Sequence, residues 1–281
     1  MAPSLLRDAS DLIRDFVLSQ MHETGGFLDR EGKPDLYYTV FGLDCLIALR
    51  EELPVDRVLP YLESFGDGEG LDFVHLACLA HSYASAGATL DEDFRRRIAA
   101  RAESHRSLDG GYHNEPGKEF GSAYGCFLAV GTYQNLGLDL PRPEGIIGCL
   151  QGLETEDGAY SNERSIKIGG TPPTAAAVTL VRHLEVPAPD GVAEWLAARF
   201  HESGGFLAIP RAPMPDLLST ATALHALSSL DASIEPFRDL CLDFIDSLWT
   251  SHGSFYGHWA EDHLDVEYTW YGLLALGHLS L

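Results

Sequence analysis

Apolar residues recur at helical spacing along almost the whole chain, and the strict alternation of a half-buried strand is absent. Two kinds of stretch take turns. One is amphipathic, as in Val192, Trp195, Leu196 and Phe200. The other is apolar nearly all round, over 37–49, 73–84, 120–136, 174–184, 217–230 and 266–279. A helix apolar on every side is buried on most sides. Glycine turns separate the two kinds: Gly25-Gly26-Phe27, Gly110-Gly111-Tyr112, Gly158-Ala159-Tyr160, Gly204-Gly205-Phe206 and Gly253-Ser254-Phe255. The turns start 85, 48, 46 and 49 residues apart, and the long first gap holds a degenerate copy, Gly66-Asp67-Gly68-Glu69-Gly70. Six units follow, each an outer helix, a glycine turn, a polar loop and an inner helix. Neither end of the series carries a polar cap, so the pattern predicts a closed all-α ring, six inner helices within six outer ones, as a single domain over 1–281.

A polar residue precedes each inner stretch: Asp35, Asp72, Glu119, Thr171, Asp216 and Asp265. Three places on stand Tyr38, His75, Ser122, Thr174, Ser219 and Tyr268. N-capping and the helix dipole account for the acids. If all six inner helices run the same way, these residues also ring one mouth of a central cavity.

Composition narrows the partners. Hydrophobic residues are 45% of the chain, enough for a large core. The formal charge of −23 argues against nucleic acid or an anionic lipid surface as a partner. No apolar run reaches the roughly 18 residues of a membrane span, and the first residues do not read as a secretory signal. The five cysteines are scattered with no Cys-x-x-Cys pair, as expected of buried thiols in a cytoplasmic protein.

Six hairpins with Gly-Gly-Phe/Tyr turns and a Thr-Ala-x-Ala-Leu inner helix (Thr220–Leu224) resemble the α/α toroid (α6/α6 barrel) of protein prenyltransferase β subunits and squalene-type (class II) terpene cyclases. The resemblance covers essentially the whole chain. It implies a long apolar, isoprenoid substrate, with a divalent cation accompanying a diphosphate. Prenyltransferase β subunits bind zinc with an Asp-x-Cys and an Asp-x-x-His. Here Asp216 and Asp265 open both motifs, but Leu218 and Tyr268 stand at the Cys and His positions. Thiolate activation needs that metal, so zinc is not expected, and the need for the family's second subunit is left open.

Class II cyclases carry Asp-x-Asp-Asp-Thr-Ala, whose middle acid protonates an alkene or epoxide. The segment 216–221 keeps the frame without the acid, whereas Asp265-Val266-Glu267-Tyr268-Thr269 puts Glu267 in the middle-acid register. Glu267 is therefore a candidate Brønsted acid, against the plain reading of a helix-start carboxylate. Asp216, Glu267, Asp265 and Tyr268 form the candidate catalytic set. Asp91-Glu92-Asp93 reads as a surface N-cap.

The only three lysines, Lys33, Lys118 and Lys167, and also Arg30, Arg164 and Arg211, lie in loops between a glycine turn and an inner helix. They would rim the mouth. Lys118, Arg164, Lys167 and Arg211 are candidate diphosphate ligands; the alternative is a set of solvated loop charges. Tyr38, Tyr124 and Trp270 are candidate substrate contacts, with Tyr37, Phe120 and Tyr271 beside them, because aromatic faces stabilise carbocations. His75, Cys78 and His81 read as core packing. The segment 239–281 has no Lys or Arg and is rich in His and acids, a composition that can hold a divalent metal, though no spacing there matches a strong motif.

Three functions compete: a terpene cyclase-like or prenyl-transferring enzyme, a non-catalytic toroid that binds a ligand or protein, and a carbohydrate-active α/α barrel with paired carboxylates such as Asp216 and Glu267. The glycine turns favour the isoprenoid group over the last.

Overall fold

The computed structural model describes residues 9–280. Twelve α-helices alternate between the two roles expected. The outer helices are α1 (Ala9–Ser19), α3 (Val55–Glu63), α5 (Glu92–Glu103), α7 (Pro143–Gln151), α9 (Val192–Ala197) and α11 (Arg238–Leu248). The inner ones are α2 (Leu36–Leu49), α4 (Phe73–Ser85), α6 (Ala123–Asn135), α8 (Thr171–His183), α10 (Leu217–Ser229) and α12 (Val266–Leu279). Each inner helix packs on the next, and α12 packs back on α2, so the ring closes. A two-stranded hairpin, β1 (Phe27–Leu28) with β2 (Pro34–Asp35), is the one strand pair among the described residues, beside isolated bridges at the turns.

The repeat has a physical basis. The first glycine of each of the five aromatic turns has φ between +83 and +103°. A side chain at Gly204 would be strained there and would also collide with the Leu240 carbonyl of α11. The turn carries its aromatic residue back against the chain six residues earlier, as in Phe200–Phe206 and Trp249–Phe255. These aromatics, Phe27, Tyr112, Tyr160, Phe206 and Phe255, are buried between the two rings.

A threonine four residues after the helix cap clips the turn in place. Thr39, Thr174 and Thr220 accept the N–H of Phe27, Tyr160 and Phe206 at 3.0, 3.0 and 2.9 Å. Thr39 and Thr220 also donate to the carbonyls of Asp35 and Asp216. In the third unit Cys126 Sγ takes this place, 3.4 Å from the Tyr112 nitrogen. In the second unit Leu76 stands there, packed against Gly68, and the aromatic turn is missing. An apolar residue cannot hold a backbone N–H, so this copy is degenerate in sequence and in structure.

The caps partly correct the sequence reading. Asp35, Asp72, Asp216 and Asp265 each accept N–H groups at the start of an inner helix. Glu119 does not: it is exposed, and Ser122 caps α6 by accepting from Gly125. Thr171 is the first residue of α8 rather than its cap. Gly170 holds that position, and the Thr171 hydroxyl donates to the Leu207 carbonyl at 2.6 Å. Asp91 caps α5 at the surface as expected. All five cysteines are free and buried.

Candidate functional site

Each inner helix has inner neighbours on both sides, and all but α8 have an outer helix packed closely behind. The axis is the one side left. Mid-helix exposure on an inner helix therefore reports an open lumen. Along α6 the residues that are not buried are Tyr124, Phe127, Gly131, Gln134 and Asn135, a single stripe at helical spacing. Phe127, in the middle of this buried helix, is 42% exposed. The same stripe runs down α2 through Tyr37, Val40 and Asp44, and down α12 through Glu267, Tyr271, Leu274 and His278. Two surface hollows, lined by Leu12, Phe16 and His252 and by Leu108, Gly117 and Phe120, involve no stripe residue.

The upper lumen gathers acids and phenols from different helices. The Tyr37 hydroxyl of α2 donates to Glu267 Oε1 of α12 at 2.7 Å. Burial raises the Glu267 carboxyl above its ordinary range, and the nearby Asp265 charge adds to this; the Tyr37 hydrogen bond works against it. Burial likewise raises Asp216, although Ser219 donates to it from its N–H at 2.7 Å and its hydroxyl at 2.8 Å. The Tyr124 phenol is pushed up to about 12 by burial and by the proximity of Cys78, Glu267 and Asp72. Tyr271 is raised by burial and by Glu267, Tyr124, Tyr268 and Asp216. Asp216, Glu267, Tyr124, Tyr268 and Tyr271 thus share one region on the axis.

Below them the α2–α12 seam is aromatic. The Phe41 ring lies 4.8 Å from Tyr37, 5.6 Å from Trp270 and 5.7 Å from Tyr271. Tyr38, on the same turn as Tyr37, is pushed up to about 12 by burial and by Asp265 and Glu267.

Asp265 faces a different partner. It is only 3% exposed, accepts from the Tyr268 N–H at 2.8 Å, and pairs with Arg30 Nε at 2.8 Å. Arg30 also reaches Glu261 at 3.3 Å and lies 5.3 Å from the centre of the Tyr268 ring. This cluster spans the first and last units, so Asp265 and Tyr268 help close the ring.

Three of the four loop cations already hold a carboxylate. Lys118 pairs with Glu115 at 2.9 Å, and Lys167 with Glu156 at 3.5 Å. Arg164 pairs with Asp109 at 2.8 Å and stacks on Phe120 at 4.2 Å. Arg211 is exposed and, among the described residues, faces no carboxylate.

The histidines of α4 escaped the sequence reading. His75 is not packed in the core: it bridges Asp35 at 3.0 Å and Asp72 at 2.8 Å, tying the starts of α2 and α4. The Asp35 hydrogen bond, reinforced by Asp72, raises its pKa to about 9 against the cost of burial, so it is a cation at the mouth. His81 meets Asp44 of α2 at 3.0 Å and Asn135 of α6 at 3.3 Å. Cys78 alone of the three is buried. The signal was present: a histidine three residues after a capping Asp sits over that cap. In the His-rich C-terminal segment, Glu261, Asp262 and His263 bring ligand atoms within 4.8 Å of one another, and Glu261 Oε1 accepts the N–H groups of the other two. No helix among the described residues is long and apolar enough to cross a membrane.

No curated protein matches the sequence. Among solved structures, the type II terpene cyclase MstE from Scytonema, in complex with geranylgeranyl dihydroxybenzoate, superposes with a TM-score of 0.69 at 13% identity, covering 99% of this chain and 97% of its own. Candida albicans protein geranylgeranyltransferase-I complexed with GGPP gives a TM-score of 0.72 at 14% identity over 96% and 90%. An α-1,6-mannanase of Salegentibacter with α-1,6-mannotriose gives 0.64 at 12% over 97% and 98%. At such identities the likeness speaks for the fold, not the reaction. The prenyltransferase alpha-alpha toroid domain matches residues 8–77 and 174–279, more than half of the sequence. The closed double ring described above is thus that of a prenyltransferase alpha-alpha toroid, the family to which this chain belongs.

Proposed function

We propose that the protein binds a long apolar isoprenoid, headed by a diphosphate, in its lumen and cyclises it by proton donation from Glu267. One observation carries the reading: Glu267, raised by burial and held by Tyr37, stands at the top of an open lumen above an aromatic wall. Oε1 is engaged by Tyr37, which leaves Oε2 to carry the proton. Transfer of that proton to an alkene carbon forms a C–H bond and leaves a carbocation at the neighbouring carbon. The face of Tyr271, which lies in the axial stripe of α12 and packs on Phe41, stabilises such a cation. The Tyr37 hydroxyl, already donating, stabilises the carboxylate left behind. A later cation loses a proton to water, which closes the reaction without a change in mass, and the Glu267 carboxylate takes up a proton from solvent for the next cycle. The ligands bound by MstE and the Candida geranylgeranyltransferase support an isoprenoid. A zinc-assisted transfer lacks its donors, because Leu218 has no ligating atom.

A second reading, a non-catalytic ligand carrier, is favoured by the mouth itself. Arg30, Lys118, Arg164 and Lys167 are already paired with carboxylates. A diphosphate would have to displace those partners everywhere but at Arg211.

Incubation with farnesyl and geranylgeranyl diphosphates, followed by product analysis, separates the two. The enzyme reading expects an isomer of unchanged mass from wild type and none from Glu267→Gln. Binding without turnover in wild type would establish the carrier. No binding of either diphosphate would end the enzyme reading and any carrier reading that needs a diphosphate head.

A further inference from the structure

The lumen does not stay apolar to its far end. Seven residues below Tyr37 on α2 lies Asp44, and the matching positions on α4 and α10 are His81 and His225. One turn lower are Asn135 on α6, His183 on α8 and His278 on α12. All belong to the axial stripes and none is fully buried. They join across helix boundaries. Asp44 meets His81 and His81 meets Asn135, as described above. Gln134 meets His183 at 3.0 Å, and His225 meets His278 at 3.1 Å.

This layer has unused hydrogen-bonding capacity. Of the two His278 nitrogens, Nε2 faces His225 while Nδ1 has no partner. Two of its imidazoles are weak bases. Burial lowers His225, and burial with the neighbouring His225 lowers His278 to about 4. Asp44, the layer's one carboxylate, faces His81. At about 1.5 Å of rise per residue, the apolar band between Tyr37 and Asp44 is about 10 Å deep. That is roughly two extended isoprene units at ~1.5 Å per carbon–carbon bond. A longer plain hydrocarbon would push methyl groups among the imidazoles and displace their water without replacing its hydrogen bonds.

We propose that this lower layer is a second recognition site, built to take a neutral hydroxyl at the far end of the lumen ligand. The preferred ligand is then an isoprenoid-like chain of about two units, polar at both ends. The proposal rests on the reading above that the lumen holds an isoprenoid-like ligand, but it shortens that ligand to about two units and depends neither on a diphosphate head nor on catalysis. A site built to hydrogen-bond a hydroxyl discriminates strongly against the analogue that lacks it.

The test is calorimetric titration of geraniol, 8-hydroxygeraniol and farnesol, with farnesyl diphosphate as a separate arm. Wild type should bind the diol about tenfold or more tighter than geraniol, the equivalent of about 1.4 kcal/mol, and farnesol no better than geraniol. His225→Leu/His278→Leu should lose the diol preference and gain on farnesol. His225→Gln, which keeps a hydrogen-bonding side chain, should retain the diol preference and covers a folding failure of the double variant. Equal affinity for geraniol and the diol, a preference that survives the double substitution, or no binding of any alcohol would overturn the proposal. Diol preference without farnesyl diphosphate binding would leave this site standing and remove the diphosphate reading. Diphosphate binding without diol preference would do the reverse.

Discussion

The Tyr37 hydroxyl donates a 2.7 Å hydrogen bond to Glu267 Oε1 across the seam where the last inner helix meets the first. Two residues 230 positions apart are thereby joined at the point where the ring closes. The bond ties the candidate acid to the closure of the fold.

Its pH dependence follows. Burial raises the Glu267 pKa, so the proton-donating form persists above the usual carboxylate range and is lost as pH rises through that raised value. Turnover should fall on the alkaline side with one ionisation. Tyr37→Phe removes the hydrogen bond that favours the carboxylate, so the fall should move to higher pH while the maximal rate drops by roughly 10²-fold or more. A pH–rate profile of both proteins checks this, and an unmoved limb would count against Glu267 as the acid.

Arg30→Ala should destabilise the fold by about 1–3 kcal/mol, because it leaves the buried Asp265 carboxylate without its charged partner. Arg30→Lys should recover only part of this, since one ammonium cannot reproduce the separate Nε and Nη1 contacts to Asp265 and Glu261. Urea denaturation gives the comparison.

His75 is raised to about 9 in the folded chain, from an ordinary value near 6.5. Its contribution is fully present below the unfolded pKa and is lost as pH rises from about 6.5 to about 9. With a third of the side chain exposed, screening reduces this to about 1 kcal/mol. His75→Gln should flatten the stability change across that window, as seen by thermal melts at pH 6 and 9.5.

Thr220→Val should cost about 1–3 kcal/mol by leaving the Phe206 N–H without an acceptor. Thr222→Val, two residues on and tied only to its own helix, should cost well under half as much. A denaturation series measures both.

Titration of farnesyl diphosphate into Lys167→Ala/Arg211→Ala should show affinity lower by more than tenfold. Arg211→Ala alone should account for most of it, since Arg211 has no ion pair to break while Lys167 holds Glu156. Elemental analysis of the wild type should find no stoichiometric zinc, and Asp216→Ala should leave the metal content unchanged.

The sequence by itself determined the ring. Six apolar stretches, five glycine turns and a capping Asp before four inner helices are local signals, readable because helix period, left-handed φ and N-capping act within a few residues. Two inner-helix starts moved by three residues, at Ala123 and Thr171, where Ser122 and Gly170 hold the cap positions. Glu267 was legible as an acid in a motif register. Its partner was not, because Tyr37 lies 230 residues away and meets it only when the ring closes. The same holds for the loop cations: sequence placed them at one rim, but which carboxylate neutralises each is a question of distances between loops. It also holds for the imidazole layer. His81, Asn135, His183, His225 and His278 are polar residues on separate, mostly apolar helices, and the shared axis makes them one surface. Tertiary structure decided every feature that needs two units at once, because a side chain's charge and hydrogen bonding depend on what faces it.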